Sequence, residues 1–211
     1  MTLSNFYKNH FRVSKQIDKN LQIGAYHESG HVVLAYFSNY ACDSLKLDVT
    51  DPGAGQAKMN YGQDLMLIRS IINSKTDKNL FNNLDISVKS KSPEIANIIA
   101  TILLAGSAAE ATFLNDRKVN GNMAVEISGP DLVYVDNVHY FLSLIDPTHN
   151  TNYINDKLLQ VLSLMNTTEI WKAIDALAKE ILSQDNYQIA RAQIEKTLTQ
   201  CGFFDYIISL R

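Results

Sequence analysis

The pentapeptide His27-Glu28-Ser29-Gly30-His31 lies inside an apolar run from Leu21 to about Tyr40, and this combination constrains the fold most. Ile23, Tyr26, Val33, Ala35 and Phe37 suit a largely buried helix better than a cleanly amphipathic one. Residues four apart lie about 40° apart around a helix, so both imidazoles project from one face, one turn apart. That spacing lets two neutral imidazole nitrogens reach one Zn²⁺ at about 2.0–2.1 Å. Glu28 points at the open side of such a site. A carboxylate there can take a proton from water and later return it to a leaving amine. Gly30, with no side chain, allows another backbone to pack closely.

Two histidines do not complete a catalytic zinc site; a third protein ligand is needed. Leu34 and Phe37 stand where an extended His-Glu-x-x-His-x-x-Gly-x-x-His motif would have Gly and His, which argues against a metzincin. The third ligand must therefore be remote. Spacing alone leaves Glu94, Glu110, Glu126, Asp131 and His139 open.

The rest of the chain predicts a mainly α fold with a small β-hairpin or sheet. Residues 1–20 read as an N-terminal arm. Leu45–Thr50 alternates as a strand, Asp51-Pro52-Gly53-Ala54-Gly55 is a turn, and Gln56–Tyr61 returns as a second strand. Asp64–Asn73 fits helix or strand, and Lys75–Ser92 is polar and loop-rich. Ser92-Pro93-Glu94 opens a helix running to about Phe113, and Asn115–Asn122 is a surface loop. Ser128-Gly129-Pro130-Asp131 opens another helix, to about Ile145. Ser128-x-x-Asp131 also has the form of a capping box. Further helices are expected near Thr151–Met165, Thr168–Ser183 and Tyr187–Thr199, with Trp171 on an apolar stripe. His139 reads as a core or surface histidine, and His10 and His149 as exposed. With no repeat or linker, the 211 residues read as one domain.

Composition narrows the function. A hydrophobic content of 46% supports a sizeable core, and a net charge of −3 argues against a general nucleic-acid binder. Cys42 and Cys201 lie far apart and form no disulfide framework, which fits a reducing compartment. The N-terminus lacks the apolar core of a signal peptide. The longest apolar stretch, Ile95 to Ala111, is broken by Asn97, Thr101, Gly106 and Ser107, so no membrane span is expected. Together these features predict a cytoplasmic protein.

Several segments resemble, in order, the peptidase domain of the FtsH-type AAA zinc metalloproteases. Ala25-Tyr26-His27-Glu28-Ser29-Gly30-His31 is similar to that family's Ala-Tyr-His-Glu-Ala-Gly-His signature. Ser14-Lys15-Gln16-Ile17-Asp18 resembles its charged lead-in. Leu104-Ala105-Gly106-Ser107-Ala108-Ala109-Glu110 resembles its Leu-Gly-Gly-Arg-x-Ala-Glu helix. Ser128-Gly129-Pro130-Asp131-Leu132 resembles the Gly-x-x-Asn-Asp-Leu segment that carries its third zinc ligand, and Ala176–Leu182 its closing helices. The resemblance covers roughly residues 14–199. Ser29 and Ser107 replace the family's Ala and Arg, the segment around residues 76–92 is a polar insertion, and neither ATPase module nor membrane anchor has a counterpart here.

The resemblance implies a helical metallopeptidase fold with His27, His31 and Asp131 as zinc ligands, Glu28 as general base, and Glu110 as a carboxylate orienting a ligand histidine. The implied activity is a zinc-dependent endopeptidase acting on unfolded or flexible polypeptides, with a separate ATPase partner for folded ones. The strand Gln56, Ala57, Lys58, Met59, Asn60, Tyr61 is the expected substrate edge, since an extended peptide can add to it by backbone hydrogen bonds. The competing expectation is a non-catalytic interaction module that keeps this fold.

Overall fold

A computed structural model describes residues 18–51, 54–117, 125–146 and 148–211. The first helix, α1 (Lys19–Phe37), starts where the Asp18 side chain accepts from the Asn20 backbone N–H at 2.7 Å, an N-cap. It stops at Asn39, which adopts φ 66°, a left-handed conformation that asparagine tolerates better than most residues. Nearly the whole span from Leu21 to Ala35 is buried. The cause is that α1 is covered on several sides, by α5 (Ser92–Leu114), α8 (Thr168–Ser183) and a small sheet.

That sheet has the order β2-β1-β3 and is antiparallel throughout. Strand β1 (Ala41–Leu47) is central. Its Leu45 stands opposite Ala57 of β2 (Gly55–Asn60) and Ile189 of β3 (Gln188–Ala190). Leu45, Leu47 and Cys42 are buried beneath α1. β2 is an edge strand; Ala57 and Met59 are half-buried and alternate with exposed Gln56, Lys58 and Asn60.

The contact between α1 and α5 is at backbone level. A Cβ on Gly30 would lie 2.4 Å from the Ala105 carbonyl oxygen and 2.8 Å from the Ala109 Cβ. Close by, the Tyr26 ring stacks on Phe113 at 4.0 Å and on Trp171 at 5.6 Å, and its hydroxyl donates to Asp175 at 2.7 Å. This one side chain ties α1 to both α5 and α8 one residue before His27. Each such aromatic pair contributes about 0.5–1.5 kcal/mol beyond its buried area.

After β2 a 3₁₀ turn (Gly62–Asp64) leads into α2 (Leu65–Ile72). Asn137 on α6 (Gly129–Ile145) donates through Nδ2 to the Ile72 carbonyl at 2.7 Å, and the Ser74 hydroxyl donates to the Asn137 carbonyl at 3.0 Å. These bonds fix α6 beside α2 and so fix where its N-terminus arrives. Helices α7 (Tyr153–Met165) and α8 close the core with Met165, Ile170, Ile174 and Leu177 fully buried. Trp171 is buried among them, as its stripe predicts. Helix α5 is long and apolar enough to cross a membrane by length and composition, and most of it is buried against α1, α6 and α7.

The fold is thus mainly α with a small sheet, and several sequence expectations shift. Residues 1–17, including His10 and most of the charged lead-in, lie outside the described residues, as do Pro52, Gly53, Pro147 and residues 118–124. Residues 19 and 20 belong to α1 rather than to an arm. β1 begins four residues before Leu45 because a bulge at Asp43 hides its alternation. Tyr61 falls one residue past β2. The ambiguous Asp64–Asn73 is helical, and the polar insertion contains two short helices, α3 (Lys78–Asn82) and α4 (Ile86–Lys89). The expected helix at Tyr187–Thr199 begins instead as β3 and continues as α9 (Arg191–Gln200), with α10 (Phe203–Ser209) following. His149 is half-buried rather than exposed; its ring lies 4.7 Å from that of Tyr153.

Candidate metal centre

Three side chains from two distant helices converge on one point. His27 and His31 lie on one face of α1, their ring centroids 4.8 Å apart. Asp131 arrives from the first turn of α6. Its Oδ2 stands 3.1 Å from Nε2 of His27 and 3.1 Å from Nε2 of His31. Each residue offers one ligand atom, and all three atoms lie within 4.8 Å of one another. The Ser128 hydroxyl makes no cap bond, so the capping-box reading does not hold: the Asp131 carboxylate is spent on the histidines.

The outer nitrogens of both rings are already committed. His31 Nδ1–H donates to the Ile102 carbonyl at 2.7 Å, deep in α5. His27 Nδ1–H donates to Glu110 Oε2 at 3.1 Å. A carbonyl can only accept, so the hydrogen sits on Nδ1 of His31 and its Nε2 is a bare lone pair when the ring is neutral. That lone pair faces an ionised carboxylate oxygen. Such an arrangement is favourable only if a proton or a cation lies between them. The same holds for His27 through Glu110.

The donor set fits a small divalent metal. A tetrahedral centre with bonds of about 2.0–2.1 Å places neighbouring ligand atoms about 3.3 Å apart, close to the two 3.1 Å separations. Two imidazoles, one carboxylate and fixed outer hydrogen bonds are a zinc-type set with an open fourth position.

Two glycines make room for this arrangement. A Cβ on Gly106 of α5 would lie 2.4 Å from His31 Nε2 and 2.6 Å from His27 Nε2. The imidazoles therefore rest directly on the α5 backbone. A Cβ on Gly55 would lie 2.5 Å from Glu28 Cγ and 2.9 Å from its Oε1. Glu28 is buried against the start of β2, and the Ala57 backbone N–H is near enough to favour its charged form.

The charges are strongly coupled. Burial pushes the Glu28 pKa up, opposed by the adjacent histidines. Burial disfavours charge on His27, but the bonds to Asp131 and Glu110 outweigh it and push its pKa up to about 9. Burial also opposes charge on His31, and Asp131 again outweighs it, so its pKa is raised. Asp131 is itself desolvated, yet the two histidines hold it well below the usual carboxylate range.

The structure therefore brings together His27, His31, Asp131, Glu28 and Glu110. Glu94 and Glu126 are exposed, and neither they nor His139 joins the triad. Gly106, Gly55, the Ile102 carbonyl and the Ala57 N–H do not stand out as site groups in the sequence. The small-residue run Ala105-Gly106-Ser107-Ala108-Ala109 is the available signal for Gly106. No protein-family model matches the chain, and no curated protein matches it.

Two outcomes follow from this geometry. Gly106→Ala should displace both imidazoles and weaken zinc binding by at least about tenfold, on the scale of a lost supporting contact, measured by competition with a chromogenic chelator. Unchanged affinity in a folded Gly106→Ala protein would contradict the packing. In the metal-free protein His27 keeps an extra proton up to a pKa near 9, and the pKa of His31 is raised as well. A metal must displace that proton, so affinity should rise with pH, by about tenfold per unit per proton released, and level off above about pH 9. Calorimetric titration in buffers of different ionisation enthalpy reads the released protons; binding independent of pH between 6.5 and 9 would contradict the protonation argument.

Proposed function

We propose that this protein is a zinc-dependent endopeptidase that hydrolyses flexible or unfolded polypeptide, with a metallopeptidase fold of the FtsH type. The observation that carries the reading is the juxtaposition of the His27–His31–Asp131 triad with a buried carboxylate, Glu28, that packs on an edge strand. Bound at the triad, zinc would supply the Lewis acidity that makes water nucleophilic at neutral pH and polarises a scissile carbonyl.

The chain's own residues do the rest. Asp131 and the two imidazoles fix the position of the reacting centre. Glu110 and the Ile102 carbonyl hold the rings in the required tautomer and orientation. Glu28 takes the proton of the attacking water and passes it to the amine as the C–N bond breaks. Burial raises its pKa, which makes it a stronger base than a solvated glutamate and a competent acid afterwards. An extended peptide would lie along the open side of β2, with residues Gln56–Tyr61 setting its path.

These 211 residues contain no Gly-x-x-x-x-Gly-Lys-Ser/Thr phosphate loop, so this domain supplies no ATP-driven unfolding. Folded substrates would need a separate ATPase. Both cysteines are free, consistent with the reducing cytoplasm proposed as its location.

The decisive comparison is zinc-loaded wild type against Glu28→Gln on unfolded casein and on fluorogenic peptides without ATP. Gln is nearly isosteric and keeps the packing on Gly55, but it cannot accept the proton. Turnover should fall about 10²–10⁴-fold with zinc content unchanged. Equal turnover would place the chemistry elsewhere, and an inactive, fully zinc-loaded wild type would favour an interaction module on this fold.

A further inference from the structure

We propose that His139 and His149 form a second cation site, separate from the triad, in which Nδ1 of His139 and Nε2 of His149 hold one late first-row divalent ion such as Zn²⁺ and clip the end of α6 to the start of α7. This site does not depend on the peptidase reading.

The two imidazoles come from the two sides of a helix connection. His139 lies in α6, about two turns beyond Asp131. His149 lies after the end of α6, shortly before Tyr153, the first residue of α7. The connection is held by its own bonds. Asp146 Oδ1 accepts from the Thr148 backbone N–H at 2.9 Å and from its hydroxyl at 2.7 Å. The His149 backbone N–H donates to the Asp146 carbonyl at 3.0 Å. Tyr153 backs both histidines: its ring lies 5.8 Å from that of His139, parallel within 7°, and 4.7 Å from that of His149. The Tyr153 hydroxyl is spent on Asn97 Oδ1 of α5 at 3.1 Å, so this backing ring is anchored to the core. Both imidazoles are therefore placed by the fold before any ion arrives.

Two buried atoms of this pair lack partners. Nδ1 of His139 and Nε2 of His149 are shielded from solvent, and neither has a hydrogen-bond partner among the described residues. Each residue as a whole is only half-buried, so these nitrogens belong to the covered edges of their rings. Buried polar atoms are almost always paired. A neutral imidazole has one N–H and one lone pair. One cation shared by the two lone pairs satisfies both atoms, with the N–H of each ring on its other nitrogen.

The spacing fits such an ion. Two imidazoles bonded at about 2.0–2.1 Å to one tetrahedral ion place their ring centroids about 5 Å apart. Those of His139 and His149 are 5.2 Å apart, with the planes at 45°, against 4.8 Å for His27 and His31. The same gauge arises in one pair from helical spacing and in the other across a turn. The charges also suit a cation. Burial and the neighbouring His139 lower the His149 pKa, which keeps its lone pair available at neutral pH, and the Asp146 carboxylate favours positive charge there. Lys157, on the far side of a ring contact with Tyr153 at 5.9 Å, is the opposing charge, and burial lowers its pKa. No further His, Cys, Asp or Glu completes a three-ligand group with this pair among the described residues. Water fills the remaining positions, and binding is weaker than at the triad. Imidazole ligands select late first-row ions over Mg²⁺ and Ca²⁺.

The test is calorimetric titration of Zn²⁺ into the metal-free full chain, with histidine nitrogen NMR on the same samples. The first equivalent should fill the triad and leave the His139 and His149 ring signals in place. A second, weaker equivalent should move His139 Nδ1 and His149 Nε2 to the shifts of metal-bound nitrogen and raise the melting temperature by a few degrees. His139→Gln and His149→Ala should each weaken that second equivalent by more than the about 10–100-fold that loss of an outer hydrogen-bond partner costs. The first equivalent and the metal-free melting temperature should stay as in wild type. If His139→Gln does not fold, His149→Ala, a change in the half-exposed connection, decides alone. A second equivalent that survives the substitutions would overturn the site. So would its absence at millimolar zinc, or zinc binding that leaves these two nitrogens at their metal-free shifts. Loss of the first equivalent alone in His27→Ala/His31→Ala, with the second retained, would confirm that the two sites are separate.

Discussion

Helix α1 touches the backbone of α5, and everything at the site depends on that closeness. Gly30 removes the side chain that would meet the Ala105 carbonyl, and Gly106 removes the one that would meet both imidazoles. A pair of ordinary helices packs with axes about 8–10 Å apart, separated by their side chains. Here the space a side chain would fill holds the His27 and His31 rings instead. The same closeness brings the Ile102 carbonyl within 2.7 Å of His31 and lets Glu110, two turns further along α5, reach His27. One helix supplies the two imidazoles and its neighbour orients them.

Burying two imidazoles and two carboxylates in one place is costly unless each group compensates another. The arrangement meets that condition in layers. Asp131 faces both Nε2 atoms, Glu110 and a backbone carbonyl take the two Nδ1 hydrogens, and Glu28 leans on the glycine and amide of β2. Neutral rings leave lone pairs opposed to a carboxylate, so the centre holds protons or a cation. That is a chemical reason for the cavity to bind metal, independent of any likeness to other proteins. The α6–α2 hydrogen bonds through Asn137 matter for the same reason, because Asp131 is delivered by the end of α6.

The local parts of the site are legible in the sequence. His27, Glu28 and His31 announce themselves because helical geometry fixes side chains four residues apart. The remote ligand is not legible from spacing: Glu94, Glu110, Glu126, Asp131 and His139 are equally open, and only the ordered resemblance selects Asp131. Elements defined by long-range pairing are hidden as well. β3 is three residues long and exists only because Gln188–Ala190 meets β1. The start of β1 is masked by the bulge at Asp43. α10 follows a left-handed Gly202 at φ 80°, which reads locally as a chain stop. Gly106 and Gly55 matter for what they leave empty, and an empty volume leaves its mark on a neighbouring element rather than on the glycine's own pattern.

A metal ion shared by His27, His31 and Asp131 is the claim on which the rest turns. X-ray absorption at the zinc edge on the purified, zinc-loaded protein tests it most directly. Two imidazole nitrogens and at least one oxygen are expected at about 2.0–2.2 Å, with the imidazole scattering lost in His27→Ala/His31→Ala and one oxygen lost or exchanged in Asp131→Ala. A zinc spectrum with sulfur ligands, or one unchanged by these substitutions, would contradict it.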